Sequence, residues 1–278
     1  MVTAARAARR TLLYLVLVVG AAACLLPIFW QVRSSLMTLV DVFKFPPLFW
    51  ATHTRWDNYV AAMSSSPFLL YFRNTLIVVI PTVLATLVTS SMSAYGFARF
   101  HFPGRGFWFS MVLGAIILPP AVVLIPQFIL WSRLHLVNTF YPLIIPFWFG
   151  GGAFNVFLLR QFFLTIPRDF DDAARIDGAR YFRIYWQILV PFIQPALIAV
   201  GLFQFFFQWN DFFGPLIYLN SPSLYTLAVG LSHFIGSYST QWNILMAAAV
   251  IVIIPPIIVF FVGQRYFVEG VTLTGIKM

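Results

Sequence analysis

The sequence predicts an all-α integral membrane protein with about six transmembrane helices. Its 278 residues are 61% hydrophobic and 19% aromatic, and only 9% of them are charged, whereas soluble domains carry roughly 25% charged residues. The mean hydropathy is +0.88. So few charged side chains cannot cover the surface of a water-soluble fold, which makes lipid the main solvent of the chain.

Charge-free stretches of about 20 residues have the length that a helix needs to cross a hydrocarbon core about 30 Å thick. Such stretches predict spans near Thr11–Trp30, Thr75–Ala98, Phe107–Leu130, Phe140–Leu159, Ala196–Leu219 and Asn243–Val262. An even number of spans places both termini on the same side of the membrane. Because neither a repeat nor an extramembrane domain is evident in the sequence, residues 1–278 are expected to form a single transmembrane domain.

The basic residues predict the orientation of the chain. There are 17 Lys and Arg against 8 Asp and Glu, a formal net charge of +9. In a soluble protein this charge would suggest nucleic acid, but no basic run is interleaved with polar surface, so no nucleic-acid partner is expected. Twelve of the 17 fall on the side that holds both termini. The positive-inside rule therefore places both termini in the cytoplasm.

The sequence argues against redox, metal and ATPase chemistry within this chain. Cys24 is the single cysteine, which excludes an internal disulfide and sites that need several cysteines. The run around Cys24 continues to Trp30 at spanning length, which favours an intramembrane residue over a lipidation site. The two lysines, Lys44 and Lys277, lie outside any Gly-Lys-Ser/Thr phosphate-binding pattern. The histidines lack metal-ligand spacing, so we expect no metal site. Taken together, these patterns predict that the chain has no catalytic residues and is not an enzyme.

The loop at residues 160–191 is the longest on the predicted cytoplasmic side and holds four of the eight acidic residues. Carboxylates of Asp169, Asp171 and Asp172 favour the positive N-terminal end of a short helix. Asp171 is expected to pair with Arg175 at i,i+4, and Gly178 to end the helix. An apolar face then follows at Phe182, Tyr185, Trp186 and Leu189, typical of a helix at the membrane interface. These physical criteria alone do not require a function for the loop, because they also describe an ordinary amphipathic hairpin at the lipid headgroups.

A family resemblance gives this loop a more specific interpretation. Its spacing resembles the EAA loop of the inner-membrane permease subunits of binding-protein-dependent ABC importers. The matching residues are Asp172, Ala173, Ala174, Gly178, Ile188 and Pro191. Asp172 replaces the usual Glu and Val190 the usual Leu. The segments at 94–105, 209–212 and 264–272 also resemble the carbohydrate-importing branch, which includes maltose and glycerol-phosphate permeases.

The resemblance implies a type I permease fold in a bacterial inner membrane, with residues 160–191 as a coupling loop that docks on a separate ATPase subunit. The coupling residues would be Asp172, Ala173, Ala174, Arg175, Gly178, Ile188 and Pro191. The solute would be a sugar, an oligosaccharide or a glycerol-phosphate-type compound. The implied partners are a second, homologous permease chain, two ATPase subunits and an extracytoplasmic solute-binding protein. ATP and Mg²⁺ would be held by the ATPase subunits, and no cofactor by this chain.

A second candidate site lies at Trp209, Asn210 and Asp211, in the fifth predicted span. Asp211 is the only charged side chain between Ile184 and Gln264, and an intramembrane carboxylate is by default a functional-site hypothesis. Carboxylate, amide and indole groups suit a sugar, which predicts a substrate path. Two alternatives stay open. The three residues form a structural cluster between helices, or Asp211 is the proton or ion site of a secondary carrier or channel, although such a carrier usually has more spans or an internal duplication.

Overall fold

The computed structural model describes the backbone of residues 2–235 and 240–275 and the side chains of residues 9–119, 121–235 and 240–265. Within these residues all regular secondary structure is helical and there is no strand. The predicted all-α class is therefore confirmed.

The described residues form two compact units. The first comprises residues 1–68 and 230–254. Its helices are α1 (Val2–Ser35), α2 (Leu39–Val42), α3 (Asp57–Ser64) and the beginning of α15 (Trp242–Gly275). Two polar side chains hold the segment that follows α1 in place through hydrogen bonds to backbone carbonyl oxygens. The buried Arg33 donates from Nε to the carbonyl oxygen of Leu48 at 2.6 Å, and Asn58 donates to the carbonyl oxygens of Ser35 and Met37, each at 2.8 Å.

The second unit comprises residues 69–229 and the chain from Pro255 onwards. Its helices are α4 (Phe68–Arg99), α5 (Arg105–Ile117), α6 (Pro120–Arg133), α7 (Tyr141–Ile144), α8 (Ala153–Thr165), α9 (Asp169–Ile176), α10 (Tyr181–Arg183), α11 (Val190–Phe192), α12 (Gln194–Trp209) and α13 (Phe213–Tyr218), with α14 (Leu227–Ser232) at its boundary. A buried core joins α4, α8 and α12 to the segment around α9, with Ala94, Leu159, Phe163 and Leu189 among its members.

Within the described part of the chain, four helices are long and apolar enough to cross a membrane, and the number rises to six if each of two bent helix pairs counts as one span. The first pair, Arg105–Ile117 and Ala121–Arg133, meets at 102°. Pro119 and Pro120 account for this break, because proline supplies no amide hydrogen and disfavours helix in the residue before it. The second pair, Tyr181–Phe192 and Gln194–Trp209, meets at 81°. The sidedness of the spans stays a prediction from the charge distribution.

A glycine loop packs directly against α4. Gly150, Gly151 and Gly152 all have positive φ, at 98°, 63° and 91°. A Cβ atom on Gly151 would lie 2.7 Å from the carbonyl oxygen of Thr86, closer than atoms can approach. Thr89 donates from Oγ1 to the carbonyl oxygen of Phe147 at 3.0 Å and thereby holds the chain before this loop against the same helix.

These contacts predict different costs for alanine at two neighbouring glycines. Gly150→Ala, where a Cβ meets open space, is expected to lose only the roughly 1–2 kcal/mol of a positive φ. Gly151→Ala carries the same strain and also a backbone clash, so its loss should be clearly larger. Thermal unfolding of the two variants in detergent measures the difference, and equal melting temperatures would contradict the close packing of this loop on α4.

Candidate functional site

Helix α9 is the central element of the predicted coupling loop, and its ends follow from the sequence. Asp169, Asp171 and Asp172 lie in its first turn, where carboxylates favour the positive end of the helix dipole. Gly178 has φ +78°, and its amide donates to the carbonyl oxygen of Arg175 at 3.0 Å. A left-handed residue just beyond a helix end is the usual position for glycine. Helix α9 therefore ends at the glycine, as the spacing predicts.

The pairing predicted between Asp171 and Arg175 is wrong. Asp171 lies on the buried face of α9, and its Oδ2 is 3.3 Å from Nη2 of Arg99 at the end of α4, with the two side chains only 6% and 4% exposed. The same Nη2 donates to the carbonyl oxygen of Ile166 at 3.0 Å. Arg175 instead pairs with Asp172, at 3.6 Å on the exposed face. The position of α4, rather than the spacing within α9, decides which carboxylate Arg175 meets.

Two further hydrogen bonds join α4 to the chain that follows α9. Ser91 Oγ and Tyr185 Oη lie 2.7 Å apart, and Tyr95 donates from its hydroxyl to the carbonyl oxygen of Tyr181 at 3.2 Å. Together with the Arg99–Asp171 pair, these contacts hold both arms of the hairpin against one long helix. Sequence reasoning missed Arg99, Ser91 and Tyr95. The one feature of the sequence that could have pointed to this contact is Arg99, a charged residue at the end of the apolar helix α4.

The residues predicted for coupling divide into an outward and an inward set. Asp172, Ala173, Arg175, Gly178 and Pro191 are exposed. Ala174 is buried at 6% exposure, and Ile188 is half-buried and packs against the same core. The motif therefore combines a surface that a partner can contact with residues that attach it to the fold.

The helix predicted after Gly178 differs from a regular amphipathic helix. Tyr185 and Leu189 are buried, whereas Phe182 and Trp186 are 67% and 58% exposed. The reason is a π-helical segment at Ile184–Leu189, which changes the residue spacing and splits the predicted apolar face. The exposed half of this face remains suited to lipid headgroups.

A groove lies between α9 and the π-helical segment, and we call it the α9 groove. Its volume is about 490 Å³, and its lining residues are Pro167, Asp169, Phe170, Ala173, Ala174, Asp177 and Ile188. The ring of Phe170 packs on that of Phe192, with centroids 5.0 Å apart. Two small alanines and two carboxylates, those of Asp169 and Asp177, thus lie among its lining residues.

The structure places the second predicted site, Trp209, Asn210 and Asp211, in three different environments. Trp209 is 3% exposed and its ring stacks on Phe205 at 5.3 Å. Asn210 is exposed and donates to the carbonyl oxygen of Phe206 at 2.8 Å. Asp211 is half-buried and accepts a hydrogen bond from the amide of Gly214 at 3.1 Å. Asp211 lies two residues before α13, and its carboxylate caps the helix from there by accepting from the amide of the second helical residue.

The described residues contain no group of three or more His, Cys, Asp or Glu side chains that could hold a metal ion. What the structure does show at this site is a short helix held by a buried ion pair, with an exposed face and a groove beside it.

Comparisons with known proteins identify the family of the chain. Residues 97–273 match the family model of the binding-protein-dependent transport system inner membrane component. The chain is 37% identical over 222 residues to the arabinooligosaccharides transport system permease protein AraQ of Bacillus subtilis, covering 80% of this chain and 78% of that protein. It is 30% identical over 266 residues to the sn-glycerol-3-phosphate transport system permease protein UgpE of Pectobacterium atrosepticum, covering 93% and 94%.

A solved structure has the same fold. A chain of a bacterial ABC transporter involved in the import of alginate superposes with a TM-score of 0.81 and 24% identity, covering 91% of this chain and 94% of that one. The family model and these relatives define a multi-pass transport permease of the inner membrane. The chain belongs to the family of inner-membrane components of binding-protein-dependent transport systems, and is a permease subunit of an ABC importer.

The buried ion pair predicts unequal effects of two neighbouring substitutions. Asp171→Asn leaves the Arg99 charge buried without a charged partner, which costs about 3–5 kcal/mol. Asp172→Asn breaks an exposed pair and should cost about 0–1 kcal/mol. Thermal unfolding in detergent compares the two variants, and the exchange Arg99→Asp with Asp171→Arg should recover part of the loss. Similar melting temperatures for both single variants would show that the pair does not hold α9 in place.

Substitution of Asp211 separates its structural interpretation from its functional ones. If it is a helix cap, Asp211→Asn keeps an acceptor oxygen and should preserve both stability and uptake, whereas Asp211→Ala should lose about 1 kcal/mol of stability. If it is a proton or ion site, or if it lines the substrate path, Asp211→Asn should lower or abolish uptake at unchanged stability. Melting temperatures and solute uptake in proteoliposomes distinguish the two, and loss of uptake in a stable Asn variant would overturn the cap assignment.

Proposed function

We propose that this chain carries a sugar or related solute, such as an oligosaccharide or a glycerol phosphate, into the cytoplasm, driven by ATP hydrolysis in separate subunits. The observation that carries the proposal is the solute named for its relatives. Arabinooligosaccharides and sn-glycerol-3-phosphate are both polyhydroxylated, and the second relative aligns over 93% of the chain. Polar hydroxyl-rich solutes cross lipid slowly, so their uptake needs such a path.

In this proposal the chain itself performs no catalysis and binds no cofactor. Neither Lys44 nor Lys277 belongs to a phosphate-binding loop, so ATP and Mg²⁺ belong to two partner ATPase subunits. A second, homologous permease chain completes the membrane path, and an extracytoplasmic binding protein delivers the solute. Residues 1–278 act as one permease domain, and Trp209, Asn210 and Asp211 remain the candidates for lining the substrate path.

Residues 160–191 act as the coupling loop in this mechanism. The exposed residues of the motif present α9 to an ATPase subunit on the cytoplasmic side, while Ala174 and Ile188 attach the loop to the spans. The exposed residues are Asp172, Ala173, Arg175, Gly178 and Pro191. The Arg99–Asp171 pair, at 3.3 Å, connects α9 to α4. Because separating two buried charges is costly, α4 is expected to follow when closure of the ATPase subunits displaces α9.

Reconstitution of the permease pair, the ATPase subunits and the binding protein in proteoliposomes tests the energy source. Uptake should require ATP, the ATPase subunits and the binding protein together. Uptake driven by a proton gradient, with ATPase subunits and binding protein left out, would contradict the proposal and favour a secondary carrier instead.

A matched pair of glycines tests the coupling role. Gly178 and Gly104 have similar positive φ, +78° and +75°, so valine should strain the backbone equally at both positions. Gly178→Val should misplace α9 and lower the solute imported per ATP hydrolysed, whereas Gly104→Val should leave this ratio unchanged. Both rates are measured in the same proteoliposomes. An unchanged ratio in Gly178→Val would exclude the hairpin from coupling.

A further inference from the structure

The chain that follows α1 carries an exposed aromatic segment, residues 43–50, with the sequence FKFPPLFW. We call it the 43–50 segment. Four of its eight residues are aromatic and one, Lys44, is basic. The side chains of Phe45 and Phe49 are 90% and 79% exposed. A cluster of exposed apolar side chains marks a surface that contacts another molecule or a membrane.

The 43–50 segment folds back along α1. The ring of Phe29 lies 5.3 Å from that of Phe49 and 6.0 Å from that of Trp50. Helix α1 has no charged residue between Arg10 and Arg33, and this stretch measures about 33 Å along the helix axis. That length matches a hydrocarbon core about 30 Å thick. Phe29 therefore lies just inside the hydrocarbon boundary, with the rings of Phe49 and Trp50 beside it.

The beginning of the same segment contacts a second spanning helix. The rings of Phe43 and Trp242 meet edge to face, with centroids 6.5 Å apart. Trp242 is the first residue of α15 and of the candidate span Trp242–Arg265, and both rings belong to the first unit. The 43–50 segment thus connects the end of one span to the start of another, which places it at the membrane boundary that these two helix ends share.

An apolar groove separates part of the segment from α1. Its volume is about 300 Å³, and its lining residues are Ala22, Leu25, Leu26, Phe29, Trp30 and Phe49. The groove follows α1 from the boundary toward the middle of the span. An acyl chain lying parallel to α1 fits such a groove, whereas a water-soluble partner would have to enter the hydrocarbon to reach it.

The backbone of the segment also suits lipid. In a bilayer, peptide groups that lack a hydrogen-bond partner within the protein are costly. Pro46 and Pro47 carry no amide hydrogen, and the carbonyl oxygen of Leu48 accepts from Nε of Arg33 at 2.6 Å. Arg33 is itself fully buried, with its guanidinium 4.1 Å from the centroid of the Trp30 ring. A protein partner could supply hydrogen bonds of its own, so this small number of free polar groups favours lipid.

We propose that the 43–50 segment is a lipid anchor, which inserts its aromatic side chains into the interfacial region of the bilayer at the C-terminal end of α1. Aromatic side chains are enriched at membrane–water interfaces. Lys44, exposed between Phe43 and Phe45, extends from this depth to lipid phosphates, as lysines near helix ends do. The anchor holds the first unit at a fixed height in the membrane, although the segment lies outside the spans themselves.

Depth-dependent fluorescence quenching tests the anchor on the full-length chain in proteoliposomes, within the assembled transporter. Cys24→Ser removes the chain's own cysteine, and partner subunits without reactive cysteines keep an environment-sensitive dye at one introduced cysteine. Phe45→Cys carries the dye at the anchor, and its high exposure means that little packing is lost. Val18→Cys, exposed in the middle of α1, reports the hydrocarbon, and Thr54→Cys, exposed in the polar run after the segment, reports water.

The dye at position 45 should emit at shorter wavelength than the dye at position 54 and should lose most of the quenching by aqueous iodide. Lipids with a nitroxide near the headgroup should quench it more strongly than lipids with a nitroxide near the chain end, and the order should reverse for the dye at position 18. Phe49→Cys should behave as Phe45→Cys does.

Two results would overturn the anchor. Iodide quenching at position 45 equal to that at position 54, without quenching by either lipid, would place the segment in water. Protection from iodide and from both lipids would show that a second permease chain or the binding protein covers it. Either result leaves the proposed function standing, because neither quencher reports ATP use or solute uptake.

Discussion

The buried ion pair between Arg99 and Asp171 sets the position of the hairpin on which the proposed coupling depends. Two charges with side chains 4% and 6% exposed are stable only as a pair, because either one alone would stay buried without compensation. The pair fixes the register of α9 against α4, and with it the side of α9 that faces outward. Exposure of Asp172, opening of the α9 groove and burial of Ala174 all follow from that register.

Helix α4 thereby links two kinds of contact within its unit. Near its end, Arg99, Tyr95 and Ser91 bind the two arms of the hairpin. Nearer the middle of α4, Thr86 and Thr89 contact the glycine loop and the chain before it, which precede α8. Polar groups at these close approaches suit a membrane protein, in which hydrogen bonds and tight packing join helices that water cannot drive together. A displacement of α9 is therefore expected to reach α8 as well as α4.

The sequence predicts the fold class because composition and span length are averages over many residues. It also predicts that α9 ends at Gly178, since carboxylates and glycine influence only the helix end that lies within one turn of them. It does not predict that Asp171 rather than Asp172 turns inward, because that choice depends on Arg99, which is distant along the chain. The π-helical segment at Ile184–Leu189 escapes prediction for a similar reason: it depends on how the hairpin packs on α4. At Asp211, a charge within an apolar stretch suggests a site, yet the hydrogen bond to Gly214 depends on where α12 ends.

If the Arg99–Asp171 pair transmits the movement of α9 to the spans, a double-mutant cycle on transport is the most direct test of that claim. The quantity to measure is solute imported per ATP hydrolysed, in proteoliposomes, for Arg99→Ala, Asp171→Ala and the double variant. A transmitting pair predicts that each single variant lowers this ratio and that the double variant is no worse than the singles, because the interaction is already lost. A ratio that stays at the wild-type value in all three variants, or losses that simply add, would contradict the claim.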